Sequence, residues 1–111
     1  MPKRTDAELL EDIKDAVERI QRYTAGLSFE AFLADDKTQD AVVRNIEIIG
    51  GAAKSFSSDF RKRHKEVSWQ DIAGMRDRLI HHYASVNWVI VWDVIRAKLP
   101  ELKAHLEDGS K

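Results

Sequence analysis

Apolar residues recur along this chain in steps of three and four, and no segment alternates convincingly at period two. Leu9, Leu10, Ile13, Ala16, Val17, Ile20 and Tyr23 form the first stripe, the spacing of one buried helix face. Thr5 and Glu8 precede it as a capping box, in which each side chain satisfies an orphan backbone donor. The opposite face is acidic, with i,i+4 pairs Asp15–Arg19 and Glu18–Arg22. Gly26 ends this helix. Ser28 to Ala34 reads as a short helical turn, and Asp35-Asp36 or Thr38 caps the next long helix.

That second helix carries Val42, Ile46, Ile49, Ala53, Phe56 and Phe60, a seam suited to packing between helices. Gly50-Gly51 interrupts it at roughly 1 kcal/mol each relative to Ala, so the pair points to close approach of another backbone. Residues 61–67 read as a basic connector. Ser68 and Asp71 open a third helix, and Asn87 caps a fourth with Trp88, Trp92, Ile95, Leu99, Leu102 and Leu106 as its stripe. Pro100 kinks or restarts that last helix. The pattern predicts a single all-α domain over residues 1–111, an antiparallel bundle of four to five helices.

Composition fits an ordinary globular chain, 43% hydrophobic and 33% charged. No apolar run approaches the roughly 20 residues that span a bilayer, and the first residues lack the apolar core of a signal peptide. Cysteine is absent, which excludes disulfides and thiolate metal sites and suits a reducing, cytoplasmic setting. The net charge of -1 conceals an asymmetry. Residues 1–51 hold seven Lys/Arg against eleven Asp/Glu, whereas residues 52–82 hold seven against four. Positive charge therefore gathers in the second half, as an anionic ligand would favour. By itself the run Arg61-Lys62-Arg63-His64-Lys65 reads as a solvated loop.

The densest chemistry lies in Arg76-Asp77-Arg78-Leu79-Ile80-His81-His82-Tyr83. On an ideal helix Arg76 falls within the apolar arc of Ile72, Ala73, Met75, Leu79 and Ile80. A guanidinium there needs an anion or several acceptors: a structural salt bridge, with Glu47 as one partner, or an anion clamp at a cleft. His81 follows Asp77 by four residues, so a carboxylate can fix its tautomer and leave the other nitrogen for proton transfer. Arg76 and His81 are roughly 140° apart on a straight helix. They share a face only if the helix ends near His81, or if a two-fold dimer brings both residues from both chains around one groove. His81 and His82 diverge, and no His-x-x-x-His or Glu-x-x-His pair converges nearby on a metal. A helix-turn-helix reader is disfavoured, because the third helix is apolar where base-reading side chains would sit.

Arg76-x4-His81-x-Tyr83 resembles the Arg-x4-His-x-Tyr motif of HepT-type toxins in the HEPN superfamily. Asn45-Ile46-Glu47-Ile48-Ile49-Gly50 with Ala52-Ala53-Lys54, Trp69-x-x-Ile72-Ala73-Gly74-Met75-Arg76, and Val91-Trp92-x-x-Ile95 with Leu99-Pro100 extend the likeness from about Asp6 to Leu106. The resemblance implies a helical homodimer that cleaves RNA without metal or cofactor. His81 would then be the general acid/base, Arg76 would stabilise the charged transition state, and Asp77 would support His81. It also implies a partner, an MntA-type nucleotidyltransferase antitoxin that transfers AMP to Tyr83. A plainer role for Tyr83, anchoring the core with its ring, is compatible with both. One departure from the family's pattern stands out: members usually carry a glutamate where this chain has Gly51. The alternative implied function is a non-catalytic helical subunit that holds nucleotide or substrate for a nucleotidyltransferase.

Overall fold

The computed structural model describes residues 4–81 and 86–109. Helix α1 spans Asp6–Thr24, α2 Phe29–Leu33, α3 Asp36–Ser55, α4 Ser58–Arg63, α5 Trp69–His81, α6 Trp88–Asp93 and α7 Leu99–Gly109. A π-helical turn, Val94–Lys98, joins the last two. No strand occurs among the described residues, and none of their helices is long and apolar enough to cross a membrane.

The caps form where the sequence places them. The Thr5 hydroxyl accepts from the Glu8 N–H, and the Glu8 carboxylate accepts from the Thr5 N–H. Gly26, at φ +76°, turns the chain out of α1, a conformation that glycine adopts without steric cost. Ser28 caps α2, Asp35 accepts from the backbone and hydroxyl of Thr38 at the start of α3, and Asn87 accepts from Val89 and Ile90 at the start of α6. Pro100 has no N–H to return to the carbonyl four residues earlier. Just before it the helix widens, and the Leu99 N–H reaches back to the Val94 carbonyl.

Helix α3 is the central element, packed against α1 and α5, while α7 closes on α1. Ile13, Ile20, Val42, Ile46 and Ile49 are fully buried between these helices. Phe32 of α2 caps one end, in contact with Trp88 and Trp92 at ring distances of 5.8 and 5.1 Å. Arg96 fastens that end, its guanidinium 4.4 Å above the Trp92 ring and donating to the Leu27 carbonyl.

Two expectations are corrected. The seam of α3 does not run on to Phe60, because the helix ends at Ser55 and Ser57 caps a new one. Residues 61–63, read as connector, therefore belong to α4. The spacing misleads because Phe60 still turns inward: it stacks on Phe56 with centroids 4.0 Å apart, as it would on a continuous helix.

Candidate functional site

Arg76 lies on the side of α5 that crosses α3, and the crossing depends on Gly50. A Cβ at Gly50 would stand 2.0 Å from Cβ and 2.5 Å from Cγ of Arg76, far inside van der Waals contact. The close approach expected of the glycine pair is thus real for Gly50. It is not real for Gly51, around which a Cβ would meet nothing within 4 Å.

Seated over Gly50, Arg76 keeps 31% of its side chain exposed and donates Nη1 to Asp77 Oδ1 at 3.1 Å. Its Nε is buried with no acceptor among the described residues. Glu47, the partner considered from sequence, instead lies 3.8 Å from Arg44. An unpaired buried N–H costs roughly 1–3 kcal/mol, so the described residues satisfy Arg76 only in part.

Asp77 is the hinge of a small charge cluster. The same Oδ1 that accepts from Arg76 accepts from Lys54 Nζ of α3 at 2.6 Å. Hydrogen bonds from Lys54 first, and then Arg76, hold the Asp77 carboxyl below its ordinary value. A depressed carboxyl stabilises the fold above its unfolded value and loses that contribution as pH falls through the folded one. The bridge thus persists at neutral pH and breaks only in acid. Sequence reasoning missed Lys54 as part of this group. The available signal was its position four residues after Gly50, on the helix face that α5 crosses.

Helix α5 ends at His81, its last residue, which is where the helix has to end if Arg76 and His81 are to share a face within one chain. His82 and Tyr83 lie outside the described residues, and of His81 only the backbone is described. Arg78 lines a groove of about 370 Å³ bounded by Ile72, Met75, Ile90, Val94 and Leu102. At its edge α6 leaves Val89 and Ile90 64% and 55% exposed.

The sequence profile of the family described as "Ribonuclease HepT-like" matches residues 13–108. A chain named "Probable ribonuclease HepT" from Thermococcus cleftensis is 44% identical over 105 residues, covering 95% of this chain and 96% of its own. Two others are named as candidate RNases. One, from Methanocaldococcus jannaschii, is 39% identical over 97% of this chain and 89% of its own. The other, from Caldanaerobacter subterraneus, is 41% identical over 90% and 86%. No solved structure matches the chain. By profile and by near full-length identity, this all-helical chain belongs to the HepT-like family of the HEPN superfamily.

Proposed function

We propose that this protein is the ribonuclease toxin of a toxin–antitoxin pair, cutting RNA at an Arg/His site composed across a homodimer. The observation that carries this reading is Arg76. It is wedged over Gly50, is held on Nη1 by Asp77, and keeps a buried donor with no acceptor among the described residues, on a helix that ends at His81. A half-buried guanidinium with a buried, unmet donor is costly unless an anion or a second chain completes it. The roughly 140° between positions 76 and 81 on one helix favours meeting across a two-fold axis. The exposed Val89 and Ile90 fit a surface that a second copy covers.

The chemistry needs only the substrate and these side chains. His81 as base takes the 2′-hydroxyl proton, and the 2′-oxygen bonds to the adjacent phosphorus. The bond from phosphorus to the 5′-oxygen breaks, and a protonated imidazole returns a proton to that oxygen. The products are a 2′,3′-cyclic phosphate and a 5′-hydroxyl end. Arg76 stabilises the extra negative charge that the phosphorus oxygens gain in passing. Asp77, by gripping Nη1, sets where the guanidinium points. DNA lacks the attacking hydroxyl and is spared.

Control falls to Tyr83, as the acceptor of AMP from a cognate nucleotidyltransferase antitoxin. Added phosphates beside the cleft repel RNA and block it. The competing reading, a non-catalytic subunit of a nucleotidyltransferase complex, draws support from Gly51, which leaves open space where the family resemblance implies a carboxylate.

One set of variants separates these readings. His81→Ala should abolish RNA cleavage, and the growth arrest caused by expressing the chain alone, while circular dichroism shows the helices retained. Cleavage that survives in this variant, or that EDTA abolishes, overturns the mechanism. With the antitoxin and ATP, mass spectrometry should find AMP on the unaltered chain and none on Tyr83→Phe.

A further inference from the structure

The chemistry above leaves the basic run after Phe60 unused. A solvated surface is the usual fate of such a run, but its setting in the fold says more. Phe60 is buried, stacked on Phe56 and 5.8 Å from the Trp69 ring. His64 is buried beside it at 4.3 Å, and the His64 carbonyl accepts from the Trp69 indole N–H. With these two rings held inward, Arg61, Lys62, Arg63 and Lys65 are all exposed. Among the described residues none of the four is paired with a carboxylate. Arg61 donates instead to the Lys54 carbonyl at 2.7 Å, and Arg63 lies 6.0 Å from the centre of the Phe60 ring.

The Arg61 bond joins this surface to the site. Lys54, in the last turn of α3, has its carbonyl held by Arg61 and its ammonium on Asp77, which also holds Arg76. Cations therefore continue from Arg76 through Lys54 and Arg61 to Lys62, Arg63 and Lys65. Six of them stand against Asp59, Glu66, Asp71 and Asp77 in this stretch, whereas residues 1–51 carry an acidic excess. A polyanion is drawn to one side of such a molecule.

We propose that this track is a docking surface for the RNA backbone, binding phosphates to one side of the bond that is cut and reading no bases. Phe56, Phe60 and Trp69 beneath it are buried, so bases find no ring to stack on, and binding rests on charge. The identity of the ligand rests on the ribonuclease reading, but the track itself is testable without cleavage.

The probe is a single-stranded RNA methylated at every 2′-oxygen, which lacks the attacking hydroxyl, followed by fluorescence anisotropy over a range of salt. Lys62 and Lys65 are exposed and make no hydrogen bond or ion pair among the described residues. The double variant Lys62→Gln/Lys65→Gln should therefore fold normally. Single-stranded binding loses about 0.7 of log–log salt slope for each phosphate contact removed, so the slope should flatten by about 1.4. Lys14→Gln/Lys37→Gln, the same charge change on the acidic half, should keep the original slope. Equal slopes for the two double variants, or no binding by the unaltered chain, overturn the track. Normal binding without cleavage of unmethylated RNA counts against the ribonuclease reading instead and leaves the track standing.

Discussion

At the scale of single residues, the site is set by what Gly50 lacks. Its missing Cβ lets the stem of Arg76 lie against the α3 backbone, so one hydrogen in place of a methyl decides where the guanidinium sits. Gly50→Ala would bring together two Cβ atoms, each rigidly fixed to its own backbone, and no rotamer change relieves that clash. The helices must separate, at about 1–3 kcal/mol for an overpacked contact, against roughly 1 kcal/mol of improved helix propensity. Gly51→Ala meets open space and keeps the propensity gain. Urea unfolding should therefore move in opposite directions for the two neighbours, and a stabilised Gly50→Ala would show that α3 and α5 do not approach so closely. Lys54 makes the complementary point: an unremarkable exposed lysine becomes part of the site only through a carboxylate that lies on α5.

Among the elements, α4 is the instructive one. Its six residues are too few to persist as an isolated helix, and its start is tied down from outside. The Ser57 hydroxyl accepts from the Phe60 N–H, and Ser57 itself donates through backbone and hydroxyl to the two oxygens of Asp6 at the start of α1. Ser57→Ala removes both the cap and the hydroxyl's hold on Asp6. It should cost about 0.5–2 kcal/mol, seen as a lower urea midpoint, and it should weaken RNA binding by loosening the basic face. Unchanged stability would mean that α4 is held by Phe60 alone. The π-helical turn before Pro100 is the other irregular element. A proline without an N–H predicted a disturbance there, but its form, a widened turn rather than a break, follows from Ile95 and Leu99 both staying buried.

For the whole molecule, the proposed dimer has a direct consequence. If Arg76 of one chain works with His81 of the other, mixing inactive Arg76→Ala and His81→Ala chains under exchange should restore part of the cleavage that neither shows alone. A mixture as inactive as its components would place both residues in one chain's site. This symmetry was raised by spacing along the sequence, since positions 76 and 81 lie roughly 140° apart on a straight helix. The long helices, most of their caps and most of the buried stripes could be read from the sequence, because they depend on residues three or four apart on one helix; α4 and its Ser57 cap could not. The Arg76 candidate could be read there too, since a charge inside an apolar arc is a local anomaly. What only the tertiary structure decided are pairings between distant positions: Lys54 with Asp77 across 23 residues, and Asp6 with Ser57 across 51. Periodicity shows which face of a helix is buried. It does not show the rotation and crossing of one helix against another, and those determine which glycine is filled, which acid Arg76 meets, and which basic residues are left facing solvent.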